Sequence, residues 1–220
     1  VGPLSAERRE TAPLILLTGC EVAVNVTGAS GSGNAVHITA AGTYVLQGDV
    51  VGSVVVTAPS TETVRLVLNG VTITGDKNAA IYCTQGDGLE IELADGTVNT
   101  LTDAADYAYT DATAEEPDAA LFSKCDLLIE GGGSLTVNAG YNNGIGTKDD
   151  LVIRGGTLNV TAANHGIRGR DSVTVSAGEI TVQSGADGIQ SNNDQGDGKG
   201  WIALEGGDFT ITAGNDAVQA

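Results

Sequence analysis

The sequence predicts an all-β fold, namely a right-handed single-stranded parallel β-helix, or solenoid, with about 22 residues per coil. Thirty-two glycines among abundant Val, Ile and Thr favour short strands joined by tight turns. With no methionine and only 4% aromatic residues, the core must consist of Val, Ile, Leu and Ala. The third observation is a motif that recurs at a fixed spacing.

The recurring motif appears six times, as NAAIYC, DAALFS, NNGIGT, NHGIRG, ADGIQS and NDAVQA. Each copy has an apolar anchor at its fourth position: Ile81, Leu121, Ile145, Ile167, Ile189 and Val218. The anchors are 40, 24, 22, 22 and 29 residues apart, so the base period is 22. We expect the two longest steps to contain inserts, an acidic one around 103–117 and a short one at 192–199.

Two bursts of alternating apolar residues follow the anchors, and each burst has the two-residue period of a strand. The first bursts are Leu127/Ile129, Leu151/Ile153, Val173/Val175 and Ile202/Leu204. The second bursts are Leu135/Val137, Leu158/Val160, Ile180/Val182 and Phe209/Ile211. Glycine-rich turns separate the two bursts, which gives three short strands per coil. A propeller blade would need about 40 residues, and a β-sandwich is the remaining alternative.

The domain organisation follows from this repeat. Residues 1–15 are expected to form an N-terminal arm or cap, and residues 16–220 the β-helix domain. We expect this domain to be truncated or continued at its C-terminus, where an open last coil would allow end-to-end self-association.

Stacked coils place equivalent residues in columns, and two columns carry aspartates. Carboxylates one coil apart repel each other unless a cation lies between them, and calcium accepts six to eight oxygen ligands. The candidate calcium ligands are Asp149, Asp150, Asp171, Asp187, Asp194, Asp197 and Asp216. The alternative is a solvated surface of alternating Lys and Asp. The column of Asn78, Asp118, Asn142, Asn164 and Asn215 is expected to stack as a structural ladder.

Other polar residues beside these columns are candidates for contacts with a sugar. Trp201 precedes the inward Ile202, so strand alternation predicts an exposed ring that stacks on a sugar or simply covers the insert. The candidate ligand-binding residues are Trp201, Asn143, His165, Arg168 and Asn192. If the protein is a lyase, Lys148, Arg168 and Arg170 are the candidate catalytic bases.

Charge and cysteine usage limit the partners. A net charge of −18 with only ten basic residues excludes nucleic acid, and no apolar run is long enough to span a membrane. The sequence at 17–20 resembles a lipoprotein processing site, and a strand that contains a cysteine is the alternative reading. Cys20, Cys83 and Cys125 have no metal-site spacing. Cys83 and Cys125 would be able to pair if they lie on neighbouring coils; otherwise they are small buried hydrophobic residues.

Segments such as ITAAGTYVLQG, VRLVLNGVTITG, CDLLIEGGGSLTV and YNNGIGTKDDLVIRGGTLNVTAANHGIRGRDSVTV resemble the bacterial carbohydrate-binding β-helix family. That family is similar to calcium-dependent pectate lyases and is associated with binding of cellulose and polygalacturonate. The resemblance covers roughly residues 16–220 and implies a secreted or cell-surface protein with bound calcium. The family usually has an acidic residue where this chain has Cys125 and His165, so a ligand is missing in those columns.

Three functions are compatible with these observations. The first is an extracellular, calcium-dependent polysaccharide-binding protein for acidic, polygalacturonate-like or cellulosic plant polymers. The second is a pectate-lyase-type polysaccharide lyase, in which calcium acidifies the proton beside a uronate carboxylate. The third is a structural or surface protein that polymerises head to tail.

Overall fold

The computed structural model describes residues 12–19, 24–109 and 115–220, and these residues form strands, turns and no helix. The strands are β1 (Leu14–Gly19), β2 (Asn25–Val26), β3 (Ala29–Ser32), β4 (Ala35–Ile38), β5 (Gly42–Val51), β6 (Ser53–Thr57), β7 (Thr63–Thr74), β8 (Ile81–Gln85), β9 (Gly88–Leu93), β10 (Val98–Thr102), β11 (Ala119–Ser123), β12 (Asp126–Gly131), β13 (Ser134–Ala139), β14 (Asn143–Thr147), β15 (Asp150–Ala162), β16 (Ile167–Gly169), β17 (Ser172–Ser184), β18 (Ile189–Gln190), β19 (Trp201–Leu204), β20 (Asp208–Ala213) and β21 (Val218–Gln219).

These strands form two sheets that run along the solenoid axis. Sheet B contains β4, β6, β8, β11, β14, β16, β18 and β21, which are parallel to their neighbours, and it begins with β2 and β3. Sheet A contains the other strands and has two arms. The long strands β5, β7, β15 and β17 contribute to both arms, whereas the coils of β9/β10, β12/β13 and β19/β20 use two separate strands. The predicted all-β parallel solenoid is thus confirmed, with about seven turns.

The observed register confirms the predicted period. Each anchor pairs with the next one in sheet B, from Ile81 with Leu121 through to Ile189 with Val218. Both sets of apolar bursts also stack in register, as in the pairs Leu151 with Val173 and Leu158 with Ile180. Equivalent positions of successive coils therefore lie directly above one another.

The core fills the space between the two sheets with aliphatic side chains, as the composition predicts. The anchors from Ile81 to Ile189 are fully buried, and so are most of the burst residues. Arg65 is a buried cation on β7, and its Nη1 lies 2.9 Å from both Glu92 Oε2 and Glu130 Oε1. Glu90 Oε2 is 2.6 Å from Nη2 of the same guanidinium. One arginine thus neutralises carboxylates from two neighbouring coils.

Glycines allow the chain to bend between the two arms of sheet A. Gly131 has a φ of +108°, and a Cβ at this position would lie 2.2 Å from the carbonyl oxygen of Leu93 on the preceding coil. Gly178 has a φ of +121° at the equivalent bend in β17. In β15 and β17, the predicted glycine-rich turns are therefore bends within one continuous strand.

The first described residues of sheet B differ from the rest because they pair in antiparallel fashion. β2 pairs with β3, and β3 with β4, before the parallel ladder begins at β6. These hairpins cover one end of the sheet, and the sequence analysis missed them. β1 begins at Leu14, close to the boundary expected for the arm. Most of the predicted arm, together with Cys20, lies outside the described residues.

The described part of the chain has no helix long and apolar enough to cross a membrane. The two other cysteines, Cys83 and Cys125, are buried free thiols on neighbouring coils.

Gly131 offers a test of how tightly the coils approach each other. Gly131→Ala should lower the free energy of unfolding by about 3 kcal/mol or more, because strain at positive φ adds to a clash with the Leu93 carbonyl. Gly96→Ala is the matched control, because Gly96 has a φ of +73° and no atom near its Cβ position. We expect Gly96→Ala to cost only about 1–2 kcal/mol in urea unfolding. Equal losses in the two variants would contradict the close approach at Gly131.

Candidate functional site

A group of aspartates lies where the chain passes from sheet B into sheet A. Asp126 and Asp150 begin β12 and β15, and Asp149 precedes β15. One carboxylate oxygen from each of these three exposed residues lies within 4.8 Å of the others. Asp171 comes from the next coil, where its carboxylate contacts that of Asp149. We call these four residues the acidic corner.

The negative charges of the acidic corner act on one another. The pKa of Asp149 is raised by partial burial, by the charge of Asp126 and by the contact with Asp171. The pKa of Asp126 is also raised, by partial burial and by the charge of Asp150, although the Asp150 N–H opposes this shift. Ionised carboxylates at this spacing disfavour the folded state unless a cation lies among them.

Among the described residues, Asp171 has both an ammonium and a side-chain amide as partners. Lys199 Nζ and Asn193 Nδ2 both donate hydrogen bonds to its carboxylate. Burial raises the pKa of Asp171, but these bonds outweigh it and hold the pKa below the usual value. The predicted calcium ligands Asp194 and Asp197 are exposed in the same insert, where Asp194 Oδ1 accepts a hydrogen bond from Gln195. Lys199 therefore makes the ion pair between the insert and the corner.

The second predicted aspartate column forms a ladder from side chain to backbone. Asn143 Oδ1 accepts a hydrogen bond from the N–H of His165 at 3.2 Å, and Asp187 Oδ1 accepts one from the N–H of Asp216 at 3.2 Å. His165 Nδ1 lies 3.3 Å from the N–H of Asp187, between these two links. Burial lowers the pKa of His165 more than Asp187 raises it, which favours a neutral ring that accepts at Nδ1.

The side chains of this ladder make hydrogen bonds within the protein and are largely buried. The buried Asp187 carboxylate also accepts a hydrogen bond from Gln190 at 2.8 Å. Asp187 and Asp216 are therefore in contact through the backbone N–H of Asp216. Asn143 is buried as well. The neighbouring asparagine column stacks as predicted, since Asn164 Nδ2 donates to Asn142 Oδ1 at 2.8 Å.

The candidate bases lie on the outer side of sheet B, and two of them face carboxylates of the acidic insert. Lys148 Nζ is 2.5 Å from Glu116 Oε1, and Lys124 Nζ is 3.1 Å from the other oxygen of Glu116. Arg168 Nη1 is 3.2 Å from Asp118 Oδ2. We call Glu116 and Asp118 with their three cations the charged strap.

Arg168 also contacts the next coil. Its Nη2 donates to Asn192 Oδ1 at 3.3 Å, so the structure brings these two predicted ligand residues together. Its Nε is buried and has no hydrogen-bond partner among the described residues, and the same holds for Oε1 of Gln190. Arg168 and Gln190 are partners in register. Arg170, the third candidate base, is exposed.

Tyrosines hold the insert against sheet B. The rings of Tyr107 and Tyr141 stack with centroids 4.1 Å apart, and Tyr109 contacts both rings edge-on. Tyr107 donates to Asp103 at 3.0 Å, and Tyr109 donates to the Pro117 carbonyl at 2.9 Å. These contacts fix the segment that carries Glu116 and Asp118.

Trp201 is exposed, as strand alternation predicts, with 44% of its surface accessible. Its indole N–H donates to the Gly198 carbonyl at 2.9 Å, so the ring also contacts the insert. Trp201 pairs in register with Ser172, whose hydroxyl donates to Asp150 at 2.7 Å. The ring therefore lies in the same column as two members of the acidic corner, Asp126 and Asp150.

Asp126, Lys199, Glu116 and Asp118 were not predicted as members of these clusters. Asp126 had a usable signal, because it precedes the burst at Leu127 as Asp150 precedes that at Leu151. Glu116 and Lys199 belong to the two inserts and had no such signal, because inserts have no equivalent positions in other coils. Asp118, directly after the acidic insert, belongs to the repeated polar column, but its contact with Arg168 crosses two coils and does not follow from the register.

The acidic corner provides carboxylate oxygens from two columns, and three of its four residues are exposed. This donor set fits a hard divalent cation such as calcium, which takes oxygen ligands in flexible geometry and often keeps waters. Such an ion would retain coordination positions for a carboxylate or hydroxyl of a ligand.

Comparison with known proteins gives three similarities. A profile of the family described as "Carbohydrate-binding domain-containing protein" matches residues 32–220. A protein of that description from Acetivibrio thermocellus is 45% identical over 141 residues, which is 63% of this chain and 49% of the relative. The chain thus spans about half the length of that curated relative.

A solved structure is similar along almost the whole chain. It is described as the polysaccharide lyase-like protein from C. thermocellum, gadolinium derivative. The TM-score is 0.90 at 37% identity, with 95% of this chain and 94% of the other covered.

A substitution of Asp149 tests whether the carboxylates of the acidic corner repel one another. Because the pKa of Asp149 is raised, the folded state binds the proton more tightly than the unfolded chain, so stability falls as pH rises above the ordinary aspartate pKa. In chelator at pH 7, Asp149→Asn should raise the unfolding free energy by about 0.5 kcal/mol, a small gain because the site is solvated. The difference from the parent should vanish near pH 3 in thermal melts.

The control for this comparison is Asp208→Asn, an exposed aspartate in β20. A variant at Asp149 that is less stable than the parent at pH 7 in chelator would show that the corner carries no net repulsion.

Proposed function

Since the chain belongs to the family of carbohydrate-binding domain-containing proteins, we propose that it binds an acidic, polygalacturonate-like polysaccharide through calcium held at the acidic corner. Calcium ions joined to Asp126, Asp149, Asp150 and Asp171 would bridge the protein to uronate carboxylates. We further propose that the protein acts outside the cell, where such polymers are found.

The observation that carries this proposal is the mutual approach of the three exposed carboxylates within 4.8 Å. With a net charge of −18, the protein would otherwise repel an anionic polymer. A calcium ion at the corner changes the sign of the interaction, because the ion attracts carboxylates from both sides. The raised pKa of Asp149 shows that its ionised form is disfavoured, and a bound cation would stabilise that form.

Further support comes from the comparisons and from sheet B. The similar structure is a gadolinium derivative, and gadolinium, like calcium, is a hard cation that prefers oxygen ligands. The unpaired Arg168 Nε and Gln190 Oε1 are a donor and an acceptor in register. A sugar hydroxyl both donates and accepts, so it would satisfy this pair after a small movement of the two side chains.

The decisive experiment measures retention on immobilised polygalacturonate in calcium and in chelator. We expect retention in calcium, loss in chelator, and a calcium-dependent rise in melting temperature without any polymer. Asp126→Asn combined with Asp150→Asn should weaken retention at least about tenfold by removing two oxygen ligands. Asp208→Asn should bind like the parent. Retention that survives chelator, or the absence of any retention, would overturn the proposal.

The same assay separates a binding protein from a lyase. Formation of an unsaturated, ultraviolet-absorbing product from polygalacturonate in calcium would establish lyase activity. In that case Lys148→Ala and Arg168→Ala should abolish the product without abolishing calcium binding. Retention without product supports binding alone.

Trp201 is the proposed aromatic platform for a sugar ring. Trp201→Ala should weaken polymer binding roughly three- to tenfold, the value of one aromatic stacking contact, and should leave the calcium-dependent melting shift unchanged. Because Trp201 is the only tryptophan, its fluorescence reports binding directly in the parent protein. Val98→Ala, at a more exposed apolar residue of β10, is the control. Unchanged affinity and fluorescence would assign Trp201 to packing against the insert.

A further inference from the structure

Cys83 and Cys125 form a buried pair of thiols at the junction of two coils. Cys83 lies within β8 and pairs in register with Ser123, and Cys125 follows Ser123 at the bend that leads to β12. The two Sγ atoms are 3.5 Å apart. A disulfide needs about 2.05 Å, so each sulfur must move by only about 0.7 Å, within reach of small side-chain rotations.

The surroundings of the pair leave one sulfur more accessible than the other. Cys83 is fully buried, whereas Cys125 retains 7% exposure. A Cβ placed on Gly86 would lie 3.6 Å from Cys125 Sγ, so the missing side chain at Gly86 leaves that side of the sulfur open. A small oxidant would therefore reach Cys125 first.

We propose that Cys83 and Cys125 are a redox modification site, at which a peroxide oxidises the two thiols to a disulfide between adjacent coils. The Cys125 sulfur attacks one peroxide oxygen, the O–O bond breaks, and the departing hydroxide takes the thiol proton to form water. The Cys83 sulfur then attacks the resulting sulfenic acid, the S–S bond forms, the S–O bond breaks, and a second water leaves. With hydrogen peroxide, two thiols and one peroxide give one disulfide and two waters.

The position of the bond gives it a structural consequence. The two cysteines are 42 residues apart and enclose the acidic insert, which makes the step from Ile81 to Leu121 the longest between anchors. In a solenoid, each coil is stabilised mainly by its neighbours, so a covalent link at this step joins the two coils where the chain connection is longest. The entropy lost by the unfolded chain is correspondingly large.

The test uses the full chain with Cys20→Ser, so that the pair has no competing thiol. After brief exposure to hydrogen peroxide, the protein is denatured, alkylated and digested. We expect a mass loss of about 2 Da, no alkylation of either cysteine, and one peptide that links Cys83 to Cys125. The melting temperature should rise by about 5–10 °C and return to its original value after a reductant is added.

Three results would overturn the proposal. They are full alkylation of both cysteines after peroxide, a gain of oxygen on Cys125 without a linked peptide, and an intermolecular dimer as the main product. Cys83→Ser is the matched control: it should give a stable oxidised Cys125 and no melting shift. Because the linkage and the reversible shift are measured without replacing either cysteine of the pair, the test remains decisive even if Cys83→Ser folds poorly.

Discussion

The register of the parallel backbone ladder is the constraint on which the rest of the structure depends. Each coil hydrogen-bonds to the one before it along all three faces, so a residue at one position lies above its equivalent in the preceding coil. Apolar columns become a continuous core, and polar columns become lines of like groups one coil apart. The fold therefore converts a sequence period into a spatial repeat. In each polar column, like side chains stack one coil apart, and their polar groups need hydrogen-bond or charged partners.

The stacked carboxylates find different kinds of partner. On sheet A, one buried guanidinium, that of Arg65, takes carboxylates from two coils. In the ladder that includes Asp187, the carboxylate accepts a backbone N–H of the next coil, which stabilises the negative charge. Asp171 takes an ammonium and an amide from an insert. Asp149 of the acidic corner differs because partial burial, and then the charges of Asp126, Asp171 and Asp150, raise its pKa. The cluster of Asp126, Asp149 and Asp150 is the position at which we propose an external cation.

Much of the fold could be predicted because periodicity is a property of the sequence itself. The anchors from Ile81 to Val218, and the bursts that follow them, pair as their spacing predicts. The acidic corner was predicted in part, since Asp149 and Asp171 share a column. The antiparallel hairpins at β2–β4 and the partners of Lys148 and Arg168 could not be predicted. The hairpins and Glu116 belong to segments without a repeat, and the contact between Arg168 and Asp118 crosses two coils. In both cases three-dimensional contacts rather than register determine which side chains meet.

The charged strap has a mechanical consequence. Its carboxylates reach cations on three successive strands of sheet B, since Lys124 follows β11, Lys148 follows β14 and Arg168 lies in β16. A pulling force along the solenoid axis would be carried both by these ion pairs and by the hydrogen bonds of the backbone ladder. Surface ion pairs weaken as ionic strength rises, so the axial stiffness of this segment would depend on salt.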